Sequence, residues 1–520
     1  MLAEGDAQTL AVADTSRLGL TYEELRALVE RTHQKLSESG LKASETVAVA
    51  LRNGPETAAL FTALVTYCRV APLNPTFTQN ENAFALRDLG ARVIITSNDV
   101  PEAIRAAGEC GVGRMLLVSP GEPKPGAFEL KCEVPLAPHP SPQAPPCPDD
   151  IALLLHTSGT TSRPKLVPLT QRNLVLSTHG VADTLQLSPA DTCLSVMPLF
   201  HVHGLVAGLL ASLATGATVC LPPGFKATAF FSWLDSSQAT WYTAVPTMHQ
   251  AILARARHNM DVVGRNKLRF IRSCSSTLYP SVYDTLRSVF GVPVLNAYGM
   301  TEAAHQISSV RLPGASCATV GTSSGPLIGI MDAYGKLLAA GQVGEIVLRG
   351  EQIMPGYLQP EGVNESAFCN GWFRTGDEGF QDSDGSLCLV GRLKEMINCG
   401  GEKISPYEVE EALLLHPAVD QAVAFAWPDT MLGETVAAAI VVREGCQVEE
   451  RDLLRLAAQR LARCKLPQRV LFVTDIPRGA TGKLRRIGMA KRLEASQLLR
   501  SRADERRSQR TPRLSFNAPT

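Results

Sequence analysis

The sequence has no excess of charge of either sign, since 50 Lys and Arg residues stand against 50 Asp and Glu residues in 520. Proteins that bind nucleic acid or an anionic membrane by displacing counter-ions carry a visible basic excess. The balance favours small molecules as partners, and no nucleic-acid partner is expected. At roughly 150 residues per domain, the length predicts about three or four folding units.

Paired cysteines are also missing. The 13 Cys residues include no C-x-x-C pair, and no His lies at metal-ligand spacing from them. This excludes a disulfide framework and a zinc finger and is typical of reduced intracellular thiols. The segment 1–6 has acids where a secretory signal needs bases, so a cytoplasmic location is predicted. The apolar stretch 202–221 is broken at Gly216, which predicts a buried helix and a short strand instead of a membrane span.

Hydrophobic spacing in the first hundred residues predicts an α/β fold. Apolar residues recur at helical spacing over 20–39, with Thr21 as the N-cap. The apolar runs 47–51 and 93–96 read as buried strands, and a helix is expected over 57–66. Strands that alternate with helices indicate a sheet with buried parallel strands.

A polar loop follows the next predicted strand, 151–155. The loop, HTSGTTSRPK over 156–165, is rich in hydroxyls, glycine and cations, which are the groups that bind a polyphosphate. It does not fit the Walker pattern G-x-x-x-x-G-K-[ST], so a P-loop NTPase is excluded. Taken alone, the segment would be better explained as an ordinary Ser/Thr-rich turn.

Further motifs follow this loop in a fixed order. They are NAYGMTE over 296–302, GWFRTGD over 371–377, GRLKE over 391–395 with GGEK over 400–403, and PRGATGK over 477–483. With this set the chain resembles the adenylate-forming superfamily of acyl-CoA synthetases, luciferases and peptide synthetase adenylation domains. The resemblance covers about 20–491. It implies an enzyme, an acid–thiol ligase that forms an acyl-adenylate from ATP and then a thioester of coenzyme A, with Mg²⁺ as cofactor.

The resemblance also implies the domain organisation. A large N-terminal AMP-binding domain of several β/α subdomains would span 1–391, and a small mobile C-terminal α/β domain would span 392–494. The remaining residues, 495–520, read as a basic and disordered tail. The last residues are not a Ser-Lys-Leu signal, although such a peroxisomal signal is common in similar sequences. The sequence says nothing of the oligomeric state.

Roles for individual residues follow from the same resemblance. Lys483 would stabilise the charge that develops between the carboxylate and the α-phosphate, Thr301 would contact the α-phosphate, and Glu302 would bind the metal. Lys394 lies at the hinge position, and His201 is the expected gate between the acyl pocket and the pantetheine tunnel. The residues that would bind the nucleotide are Ser158, Gly159, Thr160, Thr161, Lys165, Asn296, Tyr298, Asp377 and Arg392. Those that would line the coenzyme A tunnel are Gly400 and Gly401.

Within the superfamily the chain is most similar to the oxalate–CoA ligases, through LHTSGTTSRPK, PLFHVHGL (198–205), FIRSCSS (270–276) and TEAAH (301–305). The resemblance places Ser275 and His305 as donors to the second carboxylate of oxalate, which needs partners if it is buried. A medium-chain fatty or hydroxycinnamic acid remains an alternative substrate. A stand-alone adenylation protein without transfer to coenzyme A is a third possibility.

Simpler explanations exist for several of these residues. Tyr298 fits a core aromatic, His305 a satisfied core histidine, and Gly400-Gly401 an ordinary turn. The segment 321–325 satisfies the hydrolase motif G-x-S-x-G, but Pro follows it where a helix is needed, so a hydrolase is rejected. Leu166 departs from the superfamily, which usually has Gly there, and its side chain would strain a loop exit that needed positive φ.

Overall fold

The computed structural model describes residues 2–119, 124–134, 146–157, 164–314, 316–477 and 486–494. Within these residues the chain forms two compact units. The first comprises the described part of 1–375 together with Gly379–Leu389, and the second comprises Gly376–Glu378 and the described residues from Val390 onward. This division falls between Leu389 and Val390, next to the predicted boundary at 391/392. The predicted roles of the two domains stay a prediction.

The first half of the first unit carries a mainly parallel sheet. Its strand order is β7-β6-β5-β3-β4-β8-β9, with β7 and β9 antiparallel at the edges. The strands up to β9 are β1 (Leu10–Ala13), β2 (Gly19–Thr21), β3 (Thr46–Ala50), β4 (Arg69–Pro72), β5 (Val93–Thr96), β6 (Gly113–Val118), β7 (Glu129–Val134), β8 (Ile151–Thr157) and β9 (Lys165–Thr170).

A second sheet of the same unit has the order β16-β15-β14-β13-β12-β10-β11-β1-β2. Its strands from β10 through β14 are parallel to their neighbours, and β15 and β16 continue it in antiparallel pairing. These strands are β10 (Thr192–Ser195), β11 (Thr218–Cys220), β12 (Trp241–Ala244), β13 (Phe270–Ser273), β14 (Val294–Met300), β15 (His305–Ser309) and β16 (Thr322–Ser323).

Helices connect and cover these strands. They are α1 (Tyr22–Glu38), α2 (Pro55–Val65), α3 (Gln79–Asp88), α4 (Pro101–Cys110), α5 (Gln171–Leu185), a π-helix (His203–Leu210), α6 (Ala211–Ala214), α7 (Phe230–Ser237), α8 (Pro246–Ala256), α9 (Met260–Arg265), α10 (Pro280–Phe290) and a 3₁₀ turn (Thr301–Ala303). Helix α1 begins as predicted: the Thr21 hydroxyl accepts from the Glu24 amide, and the Glu24 carboxylate accepts from the Thr21 amide.

The remaining elements complete the two units. An antiparallel sheet of the order β17-β18-β20-β19, with β21 beside β20, belongs to the first unit apart from Gly376–Glu378 of β20 and the last residues of β21. The strands β22 to β26 form the sheet of the second unit, in the order β23-β22-β25-β24 with β26 beside β25. The bounds are β17 (Leu327–Met331), β18 (Gly344–Arg349), α11 (Val363–Ala367), β19 (Phe368–Cys369), β20 (Trp372–Gln381), β21 (Leu387–Arg392), β22 (Ile397–Cys399), β23 (Glu402–Ile404), α12 (Pro406–Leu414), β24 (Val419–Asp429), β25 (Gly433–Val442), α13 (Glu450–Ala457), a 3₁₀ turn (Arg463–Lys465) and β26 (Arg469–Phe472).

The predicted fold class, a large N-terminal and a small C-terminal α/β unit, is confirmed. The stretch 202–221 also divides as predicted, because the helical segment ends at Ala214, Gly216 has φ of 75°, and β11 follows. Among the described residues, every helix is too short or too polar to cross a bilayer. The cytoplasmic location stays a prediction.

Candidate functional site

The candidate site of the first unit lies where neighbouring strands end. Strands β12, β13 and β14 are parallel, with Thr243 opposite Arg272 and Ser273 opposite Asn296. In open α/β sheets, ligands bind outside the carboxyl ends of the strands, where the connecting loops meet. The predicted residue Ser275 follows β13 and the predicted motif 296–302 runs along and out of β14, so the fold brings both to this edge.

Asn296 and Tyr298, the predicted adenine contacts, are both buried on β14. The Asn296 side-chain amide donates to the Thr319 carbonyl oxygen at 3.3 Å. The backbones of β14 and β15 approach each other closely at Gly299, where a β-carbon would overlap the carbonyl oxygen of His305. Glycine at 299 therefore allows β15 to pack closely against the 296–302 motif of β14. The adenine role of Asn296 and Tyr298 stays a prediction.

Glu302 is a buried carboxylate, 7% exposed, in the 3₁₀ turn that follows β14. The Tyr357 hydroxyl donates to its Oε1 at 2.7 Å, and within the described parts of the chain no cationic side chain forms an ion pair with it. Burial, and then the Glu302 charge, raise the pKa of Tyr357, so this phenol stays a donor. A buried anion without a cation is costly, and a bound cation would relieve that cost.

Lys165 and Glu302 both contact Tyr357, the lysine at the ring and the glutamate at the hydroxyl. The Lys165 Nζ is 4.4 Å from the centre of the Tyr357 ring, within the range of a cation–π contact. Lys165 is the first residue of β9, so a sheet strand fixes its backbone. The next residue, Leu166, is buried, pairs with His156 in β8 and donates its amide to the Gln359 carbonyl oxygen at 3.0 Å. Leu166 has the extended backbone of a strand, so this position does not require glycine. Leucine in place of the glycine that is usual in the superfamily therefore causes no backbone strain.

Ser275 and His305, the predicted acid-binding donors, are joined by a residue that the sequence reasoning did not select. Ser275 Oγ lies 3.0 Å from Nδ1 of His203, and the rings of His203 and His305 stack with their centres 4.9 Å apart. His203 belongs to the π-helix, and Nε2 of its ring is 2.6 Å from Thr243 Oγ1. The structure thus gathers these polar groups into one buried cluster.

Arg272 lies at the base of this cluster and is 0% exposed. Its Nη2 donates to His305 Nε2 at 3.0 Å and to Gln306 Oε1 at 2.7 Å, while its Nη1 is 3.3 Å from His203 Nε2 and 3.2 Å from Thr243 Oγ1. Burial lowers the pKa of Arg272, although an arginine stays charged at any physiological pH. All of these partners are neutral acceptors or histidines, so the described cluster supplies no anion to the guanidinium.

Unusual backbone conformations mark the same place. Ser275, Ala304 and His305 all have positive φ, of 73°, 50° and 104°. Each such residue costs on the order of 1–3 kcal/mol when it is not glycine, and strain of this kind collects at ligand sites. The strain is evidence that these positions are set by more than packing.

The other predicted residues of the first unit and the hinge are placed as follows. Thr301 begins the 3₁₀ turn and is half-buried beside Glu302 in sequence. His201 precedes the π-helix, and its ring lies 4.5 Å from that of Phe200. Lys394 is exposed in the second unit. Their roles in phosphate binding, gating and domain rotation stay predictions.

The predicted ribose contacts, Asp377 and Arg392, lie together in the second unit. Arg392 Nε is 2.9 Å from Asp377 Oδ1, with the carboxylate buried and the guanidinium half-exposed. The pairing brings together two residues that are 15 positions apart in sequence. The role of Asp377 and Arg392 in ribose binding stays a prediction.

Gly400 and Gly401 form the two-residue loop between β22 and β23, with Cys399 opposite Glu402. Their φ angles are 60° and 96°. Such a tight hairpin needs positive φ at its central residues, which glycine provides at no steric cost. The turn therefore explains both glycines by itself, and their role in the coenzyme A tunnel stays a prediction.

Several predicted residues lie outside the described residues: Ser158, Gly159, Thr160, Thr161 and Lys483. In the opposite direction, sequence reasoning missed Arg272, His203 and Tyr357. The available signal was a charge within the apolar segment FIRS and a second His in PLFHVHGL.

Comparisons with known proteins identify the family of the chain. The family model for the AMP-binding enzyme matches residues 3–358, and the model for the AMP-binding enzyme C-terminal domain matches residues 408–483. The chain is 41% identical to an oxalate–CoA ligase of Arabidopsis thaliana over 496 residues, which cover 92% of this chain and 94% of the relative. It is 37% identical to a sulfoacetate–CoA ligase of Cupriavidus necator, with 90% and 91% covered.

A solved structure shows the same fold. The ATP-bound crystal structure of MatB from Rhodopseudomonas palustris superposes with a TM-score of 0.83 at 26% sequence identity, over 94% of this chain and 96% of that one. The predicted superfamily and its similarity to oxalate–CoA ligases are confirmed. By its matched models, its relatives and its fold, this chain belongs to the AMP-binding enzyme family.

Proposed function

We propose that this protein is an AMP-forming acid–CoA ligase whose substrate is a small acid with two negative charges, oxalate above all. The observation that carries the proposal is the buried polar cluster of Ser275, His203 and His305 beside the motif that ends at Glu302. An acyl chain or an aromatic acid needs an apolar pocket, because unpaired polar groups at its surface would cost several kcal/mol. A second carboxylate needs hydrogen-bond donors, which this cluster has.

In the first half-reaction a substrate carboxylate oxygen attacks the α-phosphorus of ATP, and the bond from that phosphorus to the bridging oxygen breaks to release pyrophosphate. Both reactants are anions, so positive charge and donors must be held in place around them. Lys165 would supply one such charge, and its place at the start of β9 and its contact with the Tyr357 ring support this assignment. Lys483 would add a second cation, as its motif predicts.

Magnesium fits the donor set at Glu302. The carboxylate is buried, and the Tyr357 hydroxyl takes only one of its oxygens. Within the described ranges no three His, Cys, Asp or Glu side chains are grouped to hold a metal alone, so Glu302 would share the ion with phosphate oxygens, as magnesium prefers. When bound, the ion supplies charge neutralisation at the phosphates. Glu302 holds its place through Tyr357.

In the second half-reaction the thiolate of coenzyme A attacks the acyl carbon, the bond to the adenylate oxygen breaks, and AMP leaves. We expect the second unit to provide Gly400-Gly401 along the thiol arm, and Lys394 to act at the hinge between the half-reactions. His201 would gate the passage. This assignment rests on the motifs of the family to which the chain belongs.

The test is a substrate panel. Purified protein is given ATP, magnesium and coenzyme A with oxalate, malonate, acetate, octanoate or 4-coumarate, and AMP release is followed against a control without acid. We expect oxalate to have the highest kcat/KM. A clear preference for octanoate or 4-coumarate would overturn the substrate assignment. Pyrophosphate release without thioester would instead identify an adenylation protein that does not use coenzyme A.

A further inference from the structure

The guanidinium of Arg272 is buried, and among the residues that the structure describes no carboxylate lies within ion-pair distance of it. Within the same residues its Nε has no hydrogen-bond partner. Burying an unpaired cation is expensive, so a protein retains one only where something repays the cost. Arg269, three residues earlier, is the ordinary case: it is partly exposed and pairs with Asp191 at 2.6 Å.

The contacts of Arg272 determine which nitrogen of each neighbouring histidine carries a proton. A guanidinium can only donate hydrogen bonds. Nε2 of His305, which lies 3.0 Å from Nη2, must therefore be an acceptor, and so must Nε2 of His203, which faces both Nη1 and the Thr243 hydroxyl. Each neutral ring then carries its proton on Nδ1.

This tautomer has a consequence at Ser275. With a proton on Nδ1, His203 donates to Ser275 Oγ across the 3.0 Å contact. The Ser275 hydroxyl then accepts from the ring, and its own proton is directed away from His203. Ser275 is half-buried, so that proton can point to a ligand. Through these contacts, the buried Arg272 orients the Ser275 hydroxyl as a hydrogen-bond donor at the predicted acid site.

We propose that Arg272 is a positioning and specificity-determining residue for a dianionic acid: it holds His203 and His305 as Nδ1–H tautomers, and its charge balances the second anionic group of the substrate. The inference rests on the proposed function and deepens it. Arg272 acts through the histidines and Ser275, and the long-range attraction of its charge is strong because the cluster is buried.

A structural role alone would predict something different. An arginine that only packs β13 against its neighbours would, when replaced, damage the site for every acid alike. If the charge of Arg272 balances a dianion, its removal should weaken the binding of the dianion far more than the binding of a singly charged acid of the same shape. Oxamate is such an acid, because it has the skeleton of oxalate with one carboxylate replaced by an amide.

The experiment measures kcat and KM for oxalate, and the rate or inhibition constant for oxamate, in the wild type, Arg272→Met, Arg272→Lys and the matched control Arg269→Met. We expect Arg272→Met to lower kcat/KM for oxalate at least about 100-fold, mainly through KM, and to weaken oxamate binding less than about 5-fold. Arg272→Lys should recover part of the loss, and Arg269→Met should leave the ratio of the two acids unchanged.

The outcomes separate the two proposals. A wild type that prefers octanoate overturns the proposed function and this inference with it. A wild type that prefers oxalate, with a folded Arg272→Met whose oxalate-to-oxamate ratio is unchanged, overturns only the role of Arg272. The ¹⁵N shifts of labelled histidines in the wild type provide a second measurement, which does not depend on the folding of Arg272→Met. Nδ1–H tautomers at His203 and His305 support the inference, and Nε2–H tautomers contradict it.

Discussion

A buried ion pair of the second unit contrasts with two unpaired buried charges of the first unit. In the second unit, Arg486 is 8% exposed and donates through Nε and Nη2 to both oxygens of Glu410 at 3.0 and 2.9 Å, and through Nη1 to Glu395 at 2.8 Å. Among the described residues of the first unit, the side-chain partners of the cation Arg272 are neutral and that of the anion Glu302 is a phenol. Paired charges stabilise a fold, whereas we propose that these two unpaired charges act on ligands.

The comparison also predicts which buried charges matter for stability and which matter for binding or catalysis. Removing one member of a buried pair leaves the other exposed to the full desolvation penalty, so paired groups should matter first for stability. Unpaired buried groups already carry that penalty in the free protein. Their replacement should relieve the penalty and appear instead as lost binding or catalysis. The following predictions test this division, beginning with the largest effect.

The most direct way to break the comparison is Arg486→Met. It leaves Glu410, which is 0% exposed, without its guanidinium, so the free energy of unfolding of the second unit should fall by about 3–5 kcal/mol. Hydrogen exchange of the full chain, read by mass spectrometry, will localise the loss to residues from 390 onward. The double variant with Glu410→Leu should regain part of the stability. An unchanged exchange pattern in Arg486→Met would mean that the pair is not structural.

Glu302→Gln should show the reverse behaviour. The change removes an unpaired buried charge, so thermal stability should stay the same or rise, while adenylate formation should fall about 10²–10³-fold through loss of the proposed metal contact. The matched control is Glu345→Gln, since Glu345 is equally buried but pairs with Arg374 at 2.8 Å. That control should lose stability and retain its activity. Equal activity losses in the two variants would refute the division.

His249 sharpens the comparison because it is buried without charge. Burial lowers its pKa to about 3, against about 6.5 in an unfolded chain. At a pH between these two pKa values His249 is protonated in the unfolded state and neutral in the folded state. The free energy of unfolding therefore falls as the pH drops below 6.5, by about 2 kcal/mol at pH 5. His249→Leu should lack this part of the slope.

Denaturant unfolding at pH 7.5 and pH 5 measures the effect. At pH 7.5 the difference between the wild type and His249→Leu reports only the change in packing and the loss of the 3.2 Å contact with the Tyr242 hydroxyl. Any change in that difference at pH 5 belongs to the proton. A difference that is constant with pH would show that the His249 ring is protonated in the folded state.

Much of the fold could be predicted from local patterns. The cap at Thr21 and the break at Gly216 depend on near neighbours in sequence, and both were found. The 296–302 motif and Ser275 lie at one edge of the sheet because they follow adjacent parallel strands, but the sequence analysis had assigned them no common place. Motif order was enough to identify the family before any geometry was known.

The charge partners could not be predicted in this way. A cation in FIRS is compatible with an edge strand, a surface or a core. Only the fold shows that β13 lies between β12 and β14 and that Arg272 is fully buried. Likewise His201 and His203 look equivalent in the sequence. The π-helix turns His203 to the cluster, and no spacing rule predicts a π-helix. Tyr357 is 55 residues from the carboxylate that it contacts.

The close passage of Gly299 under His305 links two predicted sites through the backbone. The glycine belongs to the predicted nucleotide motif, while the histidine belongs to the proposed acid site, and both lie in one hairpin with Met300 opposite His305. The contact is with the carbonyl oxygen of His305, so it persists whatever side chain stands at position 305. A side chain at position 299, by contrast, would push that carbonyl away and so move the proposed acid site without touching any of its polar groups.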